Sequence, residues 1–126
     1  MNHDASVLFN RLLARGKFRH VQILLKVAEL GSLQRASGSM GMTQSSVTQA
    51  LAYLERLLDV QLFERHARGV RPTAACDDLL PVARRMLIGV AEGADVVAAR
   101  RQRIGGAIRL VASGGAMDGV LLDVLP

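Results

Sequence analysis

The sequence predicts a mainly α-helical chain carrying one small two-stranded sheet and then a long helix. Three observations carry that prediction. Between residues 18 and 58, apolar residues recur at helical spacing in three successive stretches, each punctuated by Gly, Ser or Thr. From 59 to 73 the helical period lapses, and a short apolar pair is followed by a glycine-containing loop. From Cys76 to Val97, seven apolar residues then follow one another at steps of four and three. Half of the 126 residues are hydrophobic, which suits a small domain with a real core plus an appendage.

Residues 1–16 form an extension in which Val7, Leu8, Leu12 and Leu13 make a short amphipathic helix ending at Gly16. Arg11, Arg15, Lys17 and Arg19 give its exit a basic character. Phe18, Val21, Leu24, Leu25, Val27 and Ala28 predict a helix over 18–30, stopped by Gly31. Ser32 caps the next short helix, with Leu33, Ala36 and Met40 inward, and Gly41 ends it.

Thr43 caps the third helix, which runs to Leu58 and buries Val47, Ala50, Leu51, Leu54, Leu57 and Leu58. Its opposite face presents Ser45, Thr48, Gln49, Ala52 and Arg56, flanked by Gln44 and Tyr53, with no acidic residue before Glu55. Such a face can lie against a polyanion. Gln pairs bidentately with adenine, Arg reads guanine, and Ser or Thr serves base or phosphate. The helix N-terminus adds free N–H groups for a phosphate. The competing reading is the solvated face of an ordinary amphipathic helix. Two short helices joined by a tight glycine-containing turn make a helix-turn-helix, whose second helix enters the major groove while the first braces it. On the bracing helix, Gln34 and Arg35 are the candidates for phosphate contact.

Leu62-Phe63 reads as a short strand, with Val70 to Pro72 pairing back around a loop of His66, Ala67, Arg68 and Gly69. This is a wing, lined by Arg65, Arg68 and Arg71, which suit phosphates or a minor groove. His66 is read as solvated, not as a metal ligand. Thr73 then caps the long helix, with Asp77 and Asp78 at its positive end and Arg100, Arg101 and Arg103 at its negative end. Its seam of Cys76, Leu80, Ala83, Leu87, Val90, Ala94 and Val97 implies pairing with a second helix, the alternative being that it folds back on its own domain. Pro81 inside it is expected to bend it. Cys76 has no activating neighbour and is read as a packed side chain. After the Gly105-Gly106 break, 107–112 reads as a strand, 113–115 as a turn and 117–125 as the start of a helix, as though a new α/β domain began.

Charge is unevenly placed. Met1 to Arg71 holds ten Lys and Arg against five Asp and Glu, so the whole net charge of +5 lies there, while the remainder balances six against six. That is the footprint of a nucleic-acid module with a neutral attachment. Phe9, Phe18, Phe63 and Tyr53 are the only aromatics, too few to stack single-stranded bases. One cysteine allows neither an intramolecular disulfide nor a cysteine-rich zinc site. No apolar run spans a bilayer and no signal peptide opens the chain, so a cytoplasmic protein is expected. His3, His20 and His66 are scattered, and there is neither a carboxylate pair nor a glycine-rich phosphate loop. No enzymatic role, cofactor or metal is therefore expected.

Taken together, Phe18 to Cys76 resembles the N-terminal DNA-binding domain of LysR-type transcriptional regulators. The landmarks are VAELGSLQRAS (27–37), MTQSSVTQALAYLERLLDVQLFER (42–65) and R-x-x-x-P-T-x-A (68–75). The family's Ser-Gln-Pro-Ala-Val-Ser stands here as Thr43-Gln44-Ser45-Ser46-Val47-Thr48, and its Leu-Phe-x-Arg as Leu62-Phe63-Glu64-Arg65. Departures are Ser45 for Pro, Asp59 for the Gly after the helix, Pro72 for Leu and Cys76 for Gly; Asp59 suits a left-handed position less comfortably than Gly.

The resemblance implies a winged helix-turn-helix over 17–73, a linker and dimerisation helix over 74–103, and the truncated start of an effector-binding domain over 104–126. It implies a homodimer, or a higher oligomer, on an inverted-repeat site in double-stranded DNA. The contact set would be Arg35, Thr43, Gln44, Ser45, Ser46, Thr48, Gln49, Tyr53, Arg56, Arg65, Arg68 and Arg71. Leu80, Ala83, Leu87, Val90, Ala94 and Val97 would form the dimer seam. The effector domain is almost wholly absent, so small-molecule control is not part of the expectation. The alternative is a truncated interaction module that dimerises with full-length relatives.

Overall fold

A computed structural model of the chain describes residues 3–104. Five helices and one hairpin follow in order: α1 (His3–Arg15), α2 (Phe18–Leu30), α3 (Leu33–Met40), α4 (Gln44–Leu58), β1 (Phe63–His66), β2 (Gly69–Pro72) and α5 (Ala74–Ile104). The chain divides into two units at Leu87. The first holds α1 to β2 and the opening turns of α5; the described part of the second is the rest of α5. The expected strand, turn and helix after Gly105 lie outside the described residues.

The helix boundaries follow from local chemistry. The Ser32 hydroxyl accepts from the Arg35 N–H at 3.1 Å and the Thr43 hydroxyl from the Ser46 N–H at 3.0 Å, satisfying donors that have no partner inside the helix. Gly31 and Gly41 sit in the left-handed region at φ 67° and 66°, closing α2 and α3. Asp59 does the same for α4 at φ 55°, as the residue there must for the chain to turn away. Thr73 caps α5, accepting from the Cys76 N–H at 3.2 Å while its own hydroxyl donates to the Gln61 carbonyl at 2.7 Å.

Two apolar clusters hold the first unit together, with α2 and α4 contributing to both. Ile23, Val27, Leu33, Ala36, Val47, Leu51 and Val70 join α2, α3, α4 and the wing. Leu24, Leu54, Leu62, Cys76, Leu80 and Ala83 join α2 and α4 to the start of α5. Phe63 packs against both clusters from the base of the hairpin.

Four expectations change. Phe18 is not in the core: it is 66% exposed at the start of α2, where His20 is buried instead. Leu12 and Leu13 are exposed on α1 rather than packed. The wing is tighter than a four-residue loop. His66 pairs with Gly69, so only Ala67 and Arg68 make the turn, and Leu62 precedes the strand as a fully buried core residue. Leu80 and Ala83, expected on the pairing seam, are buried in their own chain beside Leu24, Leu54 and Leu62, together with Cys76. Beyond Leu87 the seam is open: Val90 and Val97 are 39% and 55% exposed. A heptad pattern specifies an apolar stripe; it does not specify which surface covers it.

Candidate nucleic-acid interface

The α3–α4 pair is a helix-turn-helix whose turn is tied by backbone. The Met42 N–H donates to the Ser37 carbonyl at 2.9 Å, and the buried Ser37 hydroxyl donates to the Gln34 carbonyl at 2.7 Å. Val47, Leu51, Leu54 and Leu57 anchor one side of α4. On its other side Gln44, Ser45, Ser46, Gln49 and Arg56 are exposed, with Thr48 and Tyr53 half-buried. Thr43 and Ser46 are linked hydroxyl to hydroxyl at 2.9 Å, so both help cap the helix as well as face outward. Arg35 is exposed on α3.

Glu55 is the one acidic residue of α4; it borders the groove that Thr48, Ala52 and Arg65 line at the edge of this face, and its carboxylate is engaged by backbone. Its carboxylate accepts from the Leu62 N–H at 2.7 Å and from the Phe63 N–H at 3.4 Å. It thereby fastens the start of β1 to α4 through charge-assisted bonds, which are stronger than neutral ones. Read alone, the sequence showed only where acidic residues stop being absent; the anchoring role needed the fold.

The wing is pinned at its other edge to the α2–α3 corner. The Val70 N–H donates to the Gly31 carbonyl at 3.1 Å. The register pairs Arg65 with Val70 and Glu64 with Arg71. Cross-strand partners share a face, so Arg65 lies on the side of the buried Val70, where it borders a groove with Thr48 and Ala52 of α4. Arg71 lies on the opposite side beside Glu64, and Arg68 sits at the tip. The three arginines therefore do not line a single surface, as alternation along a strand dictates.

Sequence reasoning gave no role to His20 and left Lys17 unassigned. With Ser46, Gln49, Tyr53 and Arg56 they line an open groove of about 480 Å³ along α4. The His20 ring centre sits 5.3 Å from that of Tyr53, and the Arg56 guanidinium carbon lies 5.7 Å from the centre of the same Tyr53 ring. This stack fixes the Arg56 head group by cation–π attraction. The Lys17 N–H donates to His20 Nδ1 at 3.2 Å, which holds the imidazole in its neutral form. The signal for Lys17 was the basic run at 11–19, whose position relative to α4 depends on α2.

Burial, with the Lys17 charge as a second cause, lowers the His20 pKa from its ordinary value. The native state thus binds fewer protons than the unfolded chain once pH falls below the free-imidazole value of about 6.5, so stability should decline there. Thermal unfolding at pH 7.5 and 5.5 checks this. The wild type should lose more melting temperature than His20→Gln, which does not titrate; equal losses would remove His20 as the cause.

Cys76 is fully buried, and burial, then Asp77 and Glu55, push its thiol up to about 11. It is a packing residue rather than a nucleophile. Among the described residues no group of three or more His, Cys, Asp and Glu is placed to hold a metal, and no helix is long and apolar enough to cross a membrane.

A helix-turn-helix with a pinned wing and a following long helix defines a winged helix-turn-helix domain. The bacterial regulatory helix-turn-helix protein family of the lysR type matches residues 18–77. The HTH-type transcriptional regulator GalR of Pseudomonas putida is 49% identical over 67 residues, covering 53% of this chain and 17% of that protein. The HTH-type transcriptional regulator PcaQ of Agrobacterium fabrum is 31% identical over 112 residues, covering 89% of this chain and 35% of its own length. The solved CbnR DNA-binding domain in complex with DNA superposes with a TM-score of 0.63 at 33% identity, over 67% of this chain and 97% of that one. The chain belongs to the lysR family. It spans only 17% and 35% of the length of the two curated relatives.

Proposed function

We propose that the chain binds double-stranded DNA sequence-specifically, as a homodimer on an inverted repeat, and acts in the cytoplasm as a transcriptional regulator without enzymatic activity. The observation that carries this reading is the exposed polar side of α4, without an acidic residue before Glu55, backed by a capped turn and flanked by basic groups. The likeness to a DNA-binding domain solved on DNA supports it.

In this reading α4 enters the major groove. Gln44, Ser45, Thr48 and Gln49 meet base edges or phosphates, while Thr43, Ser46, Tyr53, Arg56 and Lys17 hold the strand along the adjoining groove. Arg35 and the wing residues Arg65, Arg68 and Arg71 take backbone or minor-groove positions. The seam from the half-buried Leu87 through the exposed Val90, Ala94 and Val97 pairs two copies.

Gln49→Ala should relax base preference at one position per half-site, costing about 1–3 kcal/mol of discrimination. Arg68→Ala should weaken specific and random DNA alike and reduce the salt slope by about one unit. Titrations on both DNAs at several salt concentrations measure this. Equal losses on the two DNAs for Gln49→Ala would refute its role as a base reader. An interaction module would instead form dimers that shift no DNA.

A further inference from the structure

Of the three histidines only His20 is buried, at 9% exposed, and only one of its ring nitrogens is in use. The Lys17 N–H occupies Nδ1, so the ring hydrogen of the neutral imidazole sits on Nε2. Among the described residues nothing accepts from that Nε2–H. A buried donor without an acceptor is costly, and folded chains keep few of them.

The ring borders two grooves that offer it different company. One is the apolar groove beside α1, where α1, α2 and α5 meet; Phe9, Leu12, Leu13 and Met86 line it, and no neighbouring side chain there can accept. The other runs along α4 and is lined by Lys17, Ser46, Gln49, Tyr53 and Arg56. This second groove holds two cations and no carboxylate. Tyr53 orders it from the middle, its ring tilted 46° to that of His20 and carrying the Arg56 head group. Fixed cations beside an unused N–H suit an oxyanion. Ser46 and Gln49 also belong to the outward side of α4, so a nucleic-acid strand that follows α4 passes over this groove.

We infer that the groove seats one backbone phosphate of the bound duplex, with the His20 Nε2–H as its neutral donor alongside the Lys17 and Arg56 charges. This rests on the DNA-binding reading above. Lys17 and Arg56 supply attraction, while the imidazole, held by the Lys17 N–H and the Tyr53 ring, sets where the phosphate sits and with it the register of α4 on the bases.

The test uses the full chain and a duplex selected from a random pool, with single phosphates replaced in turn by neutral methylphosphonates. Two variants separate the two ring nitrogens. His20→Asn places an amide oxygen near Nδ1, which keeps the Lys17 N–H bonded, but does not reach as far as Nε2. His20→Gln reaches the Nε2 position with an N–H and gives up the acceptor beside Lys17. One methylphosphonate per half-site is expected to weaken the wild type and His20→Gln by about tenfold and to cost His20→Asn nothing further, although His20→Asn should be the more heat-stable variant of the two. In the wild type, the Nε2 resonance of nitrogen-15-labelled His20 should move on binding the unmodified duplex and stay in place with that one methylphosphonate. Wild-type penalties at every position in His20→Asn would overturn the inference and leave DNA binding standing. So would an Nε2 resonance that DNA does not move. Saturable binding of inorganic phosphate that duplex DNA fails to displace would assign the groove to a free anion instead, and overturn it too. A wild type that binds no duplex at all would overturn the proposed function, and the inference with it.

Discussion

Gly69→Ala is expected to destabilise the first unit by roughly 2–4 kcal/mol, combining off-region backbone strain with overpacking. Gly69 sits at φ 147°, a conformation that side chains with a Cβ rarely adopt. A Cβ built there lands on the carbonyl oxygen of Gly31, well inside contact distance. That oxygen is also the acceptor for the Val70 N–H. The strain cannot be relieved by a rotamer change, because both groups are backbone. The wing must therefore lift from the α2–α3 corner, carrying Arg65, Arg68 and Arg71 with it. Urea unfolding and DNA titration of the variant measure the two consequences, lower stability and weaker binding. A variant within 0.5 kcal/mol of wild type, an approximate threshold for surface changes, would show that the wing is not pinned as described.

Leu80→Ala should cost about 2–5 kcal/mol of folding stability, the range for removing a buried leucine. Leu80 is 9% exposed among Leu24, Leu54, Leu62, Cys76 and Ala83. Val97→Ala, at a position 55% exposed, should leave the stability of the first unit within about 0.5 kcal/mol. In the proposed dimer the ranking reverses: Val97→Ala lowers association directly, whereas Leu80→Ala lowers it only through unfolding. Chemical denaturation followed by circular dichroism, alongside sedimentation, separates the effects. If Leu80→Ala split dimers without lowering stability, Leu80 would belong to the pairing seam after all.

Much of the first unit was legible because its punctuation is local. Ser32, Thr43 and Thr73 cap helices through bonds to N–H groups three residues on, and Gly31 and Gly41 end them in a left-handed turn. Such rules need no knowledge of distant packing. The outward side of α4 was equally readable, since apolar positions at helical spacing, of which Val47, Leu51, Leu54 and Leu57 are buried and Ala50 and Leu58 half-buried, leave few choices for the rest.

What escaped depended on tertiary contact. The hairpin strands have four residues each, too short for alternation to fix their register, so the loop was read two residues too long. The placing of Arg65 and Arg71 on opposite sides follows only from that register. Leu80 and Ala83 obey the same heptad as Val90 and Val97, and only the three-dimensional arrangement separates those used inside from those left outside. Glu55 as a wing anchor, and His20 with Lys17 beside Tyr53 and Arg56, involve residues whose partners are distant in sequence. The groove beside α1 is a further case, formed where three helices meet.

The central claim is that the exposed side of α4 reads base sequence, twice, from a paired chain. Selection of bound molecules from a random pool of duplex DNA tests it most directly. The account predicts enrichment of two inverted half-sites, their centres separated by about one helical turn of 10–10.5 base pairs or a multiple, and a shift in the preferred half-site when the pool is selected with Gln49→Ala. Recovery of sequences with no common motif, from a protein that still binds DNA, would contradict it.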